Sequence, residues 1–101
     1  VPMTGMLLRE RSTQEGLLVS VCDADVLGET FETGELSLTV DPTFYDGEQA
    51  TPEEVTASLA DAAVANLVGT EAVGTAIEAG FVEEANVLEF GETRHAQYLL
   101  M

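Results

Sequence analysis

With 101 residues, 46% of them hydrophobic, and a single cysteine, the chain has the length for one domain around one core and lacks the thiols for an internal disulfide or a cysteine-built zinc cage. No apolar run approaches the ~18 residues that span a bilayer, and no charged segment followed by an apolar one opens the chain, so the expectation is a soluble, unexported, cytoplasmic protein with no membrane partner. Nineteen Asp and Glu stand against Arg9, Arg11 and Arg94, with no lysine, for a formal net charge of -16, which excludes the broad basic footprint that nucleic-acid binding uses in ordinary salt.

In chain order, Val1 to Gly5 reads as a flexible leader to a single α+β domain over 1–101, and Met3 and Met6 both qualify as a start residue. Leu7 and Leu8, followed by Arg9-Glu10-Arg11, begin a strand that ends in the polar loop Ser12 to Gly16, so a hairpin is expected. Leu17 to Cys22 is rich in β-branched residues and apolar apart from Ser20, the pattern of a central strand with Leu17, Val19 and Val21 on one face. Asp23 is placed to cap a short helical turn through Leu27, stopped by Gly28. Leu36, Leu38 and Val40 alternate with Ser37 and Thr39, as in a strand with one wet face, and Asp41-Pro42 ends it. Thr43 to Ala50 reads as a polar loop whose Phe44 and Tyr45 form a lid on the core, in preference to a ligand platform.

Thr51-Pro52-Glu53-Glu54 is a helix start, with Thr51 and Glu54 positioned for a reciprocal capping box and Pro52 where no helical amide is needed. Val55, Leu59, Ala62, Ala63 and Leu67 recur at helical steps, so this helix is expected to run to Gly69 as its left-handed terminator. Thr70 then caps a second helix carrying Val73, Ala76 and Ile77 and closing at Gly80. Gly74 inside it costs ~1 kcal/mol relative to alanine, which predicts close approach of a neighbouring element. Val87 to Phe90 and Ala96 to Leu100 are two more strands around the turn Gly91-Glu92-Thr93. The order βββ-αα-ββ predicts an α+β fold: a mostly antiparallel sheet of about five strands with the helical pair packed on one face.

Chemistry-bearing residues are few. His95, the one histidine, must carry any general acid/base proposal, with Cys22 or Asp23 as its partner. Cys22 has acidic neighbours that oppose thiolate formation and reads as a small core hydrophobe. Asp23-Ala24-Asp25 and Glu83-Glu84 lack calcium-loop spacing and read as solvated acids, and the glycines fit no phosphate loop, so no catalytic residue, metal or cofactor is assigned. The acids are scattered over the whole chain instead of forming one tail. Such self-repulsion is relieved where the Debye length shrinks to ~3 Å at 1 M salt, so the composition points to a cytoplasm like that of extreme halophiles, with a basic partner as the alternative. If the first and last strands are neighbours, Arg9, Arg11 and Arg94 gather into one positive patch. Otherwise they are isolated arginines paired with Glu10, Glu15 or Glu92, worth under ~1 kcal/mol each.

At Ala65-Asn66-Leu67-Val68-Gly69, followed by Glu71, Val73 and Ala76-Ile77-Glu78-Ala79-Gly80, and then by the Gly91 turn leading to His95-Ala96, the chain resembles the archaeal family known as domain of unknown function 424. Val21-Cys22-Asp23 and Val26-Leu27-Gly28-Glu29-Thr30-Phe31 are similar to that family's first half, so the likeness covers nearly everything after Met6. Arg94 departs from it, since a proline is expected there in many relatives. The resemblance implies a compact archaeal α+β protein, here a haloarchaeal member, and brings no catalytic residues. The family's archaeal distribution suggests a role alongside translation or RNA processing. The resulting expectation is a non-enzymatic protein that binds RNA, a ribonucleoprotein or the translation machinery through Asn66, Gly69, His95, Arg94, Arg9 and Arg11. The alternatives are a small enzyme with His95 as general base, and a structural subunit of a protein complex marked by an exposed apolar patch beside the helices.

Overall fold

A computed structural model of the chain describes residues 5–99; Val1 to Thr4 of the expected leader, and Leu100 at the end of the expected last strand, lie outside the described residues. The polar loop after Arg11 folds the chain back on itself as anticipated. Strands β1 (Met6–Thr13) and β2 (Gly16–Asp23) pair antiparallel from Met6 opposite Asp23 to Thr13 opposite Gly16. The Thr13 hydroxyl donates to the Gly16 carbonyl at 2.7 Å, closing the turn. After a single 3-10 turn at Ala24–Val26, β3 (Thr30–Thr33) and β4 (Leu36–Thr39) form a separate two-stranded hairpin. Only β4 is legible in the sequence.

The expected loop over Thr43 to Ala50 contains two short elements. Helix α1 (Pro42–Tyr45) is capped by Asp41, whose Oδ1 accepts from the Thr43 amide and hydroxyl, both at 2.9 Å. Strand β5 (Glu48–Ala50) pairs with the start of β1. Helix α2 (Pro52–Asp61) opens on the anticipated capping box: Thr51 Oγ1 accepts from the Glu54 amide at 3.2 Å, and Glu54 Oε1 from the Thr51 amide at 2.9 Å.

Helix α2 does not continue to Gly69. It stops at Asp61, and Ala62–Val68 is a strand, β6, running parallel to β2. Its apolar spacing mimics a helical stripe because Ala62, Ala65 and Leu67 face α2 and α3 while Val68 enters the smaller layer on the opposite face, so apolar residues stand on both sides of the strand. Helix α3 (Thr70–Glu78), a 3-10 turn at Glu84–Asn86, and strands β7 (Leu88–Phe90) and β8 (Thr93–Leu99) complete the chain. The main sheet has six strands in the order β5-β1-β2-β6-β8-β7. It is mixed instead of mostly antiparallel, and strands and helices alternate from β5 to α3, so the order βββ-αα-ββ is corrected along with the strand count.

Helices α2 and α3 cover one sheet face. Met6, Val19, Val21, Ala65, Leu67 and Ala96 point into them and meet Val55, Leu59, Val73 and Ala76 in the larger core. Each fully buried Val, Leu or Met contributes about 1.5–3 kcal/mol by leaving water. A smaller layer lies on the opposite face, where Cys22, Val68 and Leu7 are covered by Val40, Leu38, Phe31, Phe44 and Tyr45. Phe44 and Tyr45 meet edge to face at 5.0 Å, the lid that the sequence suggests.

At the β6–α3 junction, Gly69 takes φ 118 and ψ 153, a conformation that favours glycine. It precedes α3 instead of terminating α2. The cap of α3 is not Thr70 but Asp23, brought from the end of β2. Its Oδ1 accepts from the Ala72 amide at 2.8 Å and its Oδ2 from the Glu71 amide at 3.0 Å. Asp23 makes no side-chain cap to its own 3-10 turn, correcting that expectation. Gly74 also departs from expectation, because a Cβ there would meet open space. Gly74→Ala should therefore stabilise the protein by about 0.5–1 kcal/mol through helix propensity, seen as a thermal midpoint raised by roughly 4–8 °C per kcal/mol. An unchanged or lowered midpoint would contradict the open site.

Candidate functional site

Strand alternation and register bring together residues that are far apart in the chain. On the face opposite α2 and α3, Arg9 of β1 pairs with Ser20 of β2, Ser20 with Asn66 of β6, and Asn66 with Gln97 of β8. Paired residues share a face, so these four side chains form one polar row across four strands. The next row holds Arg11, Leu18 and Val64. The small aromatic layer covers Leu7, Cys22 and Val68 of the row beyond, which ends at His95 beside Phe90. Arg11 and Gln97 are exposed and Arg9, Leu18, Asn66 and Val64 are partly exposed, while Ser20 between them is buried, so this face stays accessible at Arg9, Arg11, Asn66 and Gln97. Arg9 is anchored at its border, donating from Nη1 to the Thr43 carbonyl of α1 at 2.6 Å.

Of the six residues singled out in the sequence, Asn66, His95, Arg9 and Arg11 share this face. Arg94 does not join them. It lies on the other face of β8, with Nε 3.1 Å from Glu89 and Nη2 3.3 Å from Glu84. The three-arginine patch fails because β1 and β8 are separated by β2 and β6, and Arg94 pairs with acids other than those suggested. Gly69 is occupied structurally, its amide donating to the Arg94 carbonyl at 2.8 Å while its missing side chain makes room for Asp23. Asn66 sits mid-strand and caps no helix. Ser20 and Gln97 complete the row; the period-two alternation of their strands is the signal that would have found them.

His95 is half-buried, its ring edge-on to Phe90 at 6.4 Å. Burial holds its pKa below the usual imidazole value, so the ring is neutral at neutral pH and adds no charge to the face. Cys22 lies two strands away across Val68, roughly 10 Å by strand spacing. Its thiol is pushed up to about 12 by burial and then by Asp23, Asp46 and Asp25. Asp23 is committed to α3; burial raises its carboxyl pKa while the amides of Glu71 and Ala72 pull the other way. The two partners named for a general base are thus a buried thiol two strands from the ring and a carboxylate that already accepts from the α3 amides. Among the described residues no three His, Cys, Asp or Glu side chains are grouped to hold a metal, and Glu84 is engaged by Arg94.

The most exposed large apolar side chains among the described residues are Leu36 (58%) and Leu88 (52%), on β4 and β7 and not beside the helices. Between α2 and α3 runs a shallow groove lined by Thr56, Ala57, Thr75 and Ala79. No helix among the described residues is long and apolar enough to cross a membrane.

These features define a small α+β protein with a mixed six-stranded sheet and three helices, its sheet half open on one side. The family described as Protein of unknown function (DUF424) matches residues 10–101, and the chain belongs to that family. The fold is similar to the crystal structure of an uncharacterized conserved protein from Methanopyrus kandleri, with a TM-score of 0.76 and 21% identity over 95% of this chain and 94% of that one. No curated protein matches the chain.

Proposed function

We propose that this protein is a binding protein that takes single-stranded RNA, free or within a ribonucleoprotein, on the open half of its sheet in a high-salt cytoplasm. The accessible members of the row, Arg9, Asn66 and Gln97, with Arg11 beside them, carry this reading. They concentrate two of the chain's three cations on one face of a body with net charge -16. The amides of Asn66 and Gln97 offer donors and acceptors at the spacing of adjacent strands, suited to the edges of unstacked bases. The guanidinium groups suit phosphate oxygens or base planes. In dilute buffer the carboxylates repel a phosphate backbone, whereas molar salt screens that repulsion and leaves hydrogen bonding and stacking to carry recognition. The absence of lysine and the spread of acids over the surface support the saline setting.

The test is fluorescence anisotropy with labelled single-stranded RNA in about 1 M potassium chloride, where the Debye length is about 3 Å. Saturable binding is expected, weakened at least tenfold when Arg9→Ala and Arg11→Ala are combined, since a hydrogen bond to a charged group is worth about 1.5–3 kcal/mol. Arg94→Ala, on the other face, should leave it unchanged. Absence of binding, or full binding by the double variant, would overturn the reading.

A further inference from the structure

We infer that the outer edge of β1 receives an extended segment of another polypeptide as an added strand, with a lysine or arginine of that segment held in an acidic concavity beside it. Strand β5 pairs only with Met6 to Leu8, so from Arg9 to Thr13 this edge has no strand partner among the described residues, and Glu10 to Thr13 are exposed. At Gly47 the backbone comes so near β1 that a Cβ would strike the Leu8 carbonyl, which places that carbonyl on the outer edge. Backbone groups alternate in direction along a strand, so Glu10 and Ser12 turn an N–H and a C=O outward as well. A further strand meets those groups, its main-chain hydrogen bonds supplying affinity and its side chains specificity.

The neighbouring side chains select what such a strand carries. Beside the bare edge, where β5 ends, is a concavity of about 340 Å³ lined by Leu8, Glu10, Glu48, Ala50 and Glu54 among others. These residues lie on the helix side of the sheet: Leu8 stands opposite Glu48 and Met6 opposite Ala50, Glu10 accepts from the Ser58 hydroxyl of α2, and Glu54 belongs to α2. Leu8 and Ala50, packed against the larger core, flank the methylene stem of a lysine or arginine, and the three carboxylates surround its charge. Ser58 and the Thr51 amide each use one oxygen of Glu10 and Glu54, and a carboxylate has a second to offer. An added residue opposite Glu10 shares its face, whereas the residues on either side of it share the other face with Arg9 and Arg11. The complementary segment is therefore acidic, basic, acidic. The same alternation turns away a second copy of this chain: antiparallel registers centred on Arg9, Glu10 or Arg11 each set arginine opposite arginine, and like charges directly opposite destabilise pairing.

The experiment titrates isotopically labelled protein, by NMR in about 1 M potassium chloride, with two short capped peptides of alternating threonine and valine, one centred on Glu-Lys-Glu and the other on Lys-Glu-Lys. Pairs partly buried in a concavity are screened less than exposed ones at that salt. The first peptide is expected to shift the Glu10 and Ser12 backbone amides saturably and to slow their hydrogen exchange. Its affinity should be about tenfold above that of the second, the combined effect of three cross-strand charge pairs. Ser12→Pro removes an outward N–H at an exposed edge position, where a strand tolerates proline, and should abolish binding while the protein stays folded. Glu48→Lys, at an exposed position on β5, should erase most of the preference between the peptides. Binding of neither peptide, equal binding of both, unchanged binding by Ser12→Pro, or shifts confined to the bare outer edge of β8 beyond His95 would overturn the inference.

Discussion

Gly69→Ala is expected to destabilise the fold by about 3 kcal/mol or more, the larger of two effects at the β2–α3 junction. A side chain in that backbone conformation costs about 1–3 kcal/mol of strain. Its Cβ would also collide with the Asp23 carboxylate, forcing the cap off α3. Loss of a cap adds about 1–2 kcal/mol, so Asp23→Ala alone should cost about that much. Asp23→Asn, which keeps a side-chain acceptor, should cost less. The variants are coupled: once Gly69→Ala has displaced the carboxylate, removing it changes little, and the double variant should fall short of the sum by roughly 1 kcal/mol. Urea unfolding midpoints check this, and strict additivity would show that the glycine and the cap act separately.

The second large effect is on salt. Raising potassium chloride from about 0.1 M to about 1 M should lift the thermal midpoint by 10 °C or more, equivalent to about 2 kcal/mol in a domain of this size. The Debye length falls over that interval from about 10 Å, comparable to the radius of gyration of 12.6 Å, to about 3 Å. Repulsion that reaches across the molecule is thereby reduced to near neighbours. Screening also weakens attraction, but the side-chain ion pairs among the described residues are both made by Arg94, to Glu84 and Glu89, which are 76% and 72% exposed. Pairs whose carboxylates stand this far in solvent, around an Arg94 that is itself 22% exposed, hold about 1 kcal/mol each, so relief of repulsion wins. A midpoint that stays flat or falls would remove the saline setting and with it the basis for RNA contact without lysine.

What the sequence revealed depended on whether a feature was local. The Thr51 to Glu54 cap, the β1–β2 hairpin and the β7–β8 turn are written in adjacent residues and stand in the structure, the two turns tighter than read because β1 runs on to Thr13, β2 starts at Gly16 and β8 starts at Thr93. Strand β6 is hidden because Ala62, Ala63 and Ala65 favour helix by propensity, and Val55, Leu59, Ala62, Ala63 and Leu67 keep helical spacing across a junction that no glycine marks. The clue was β-branched Val64 and Val68 in the seven residues between Asp61 and Gly69, apolar but for Asn66 and of strand length. Without β6, the placement of the arginines could not follow, since it depends on how many strands separate β1 from β8. Asn66, Arg9, Arg11 and His95 stand out in the sequence by residue type alone, and the register gathers them on one face. The role of Asp23 was beyond sequence reasoning, because a cap supplied by a residue 48 positions away from Glu71 leaves no local signature.

The parallel seam between β2 and β6 has a kinetic consequence. Everything from Ala24 to Asp61 must be looped out before the two strands meet, whereas each flanking hairpin closes over a short turn. Loop-closure entropy has to be met before such a distant pairing rewards it, so assembly of the sheet waits on this seam. During synthesis the inner edge of β2 stays bare until Val68 has emerged, leaving a hydrophobic ribbon without its neighbour and open to adhesion with other nascent chains.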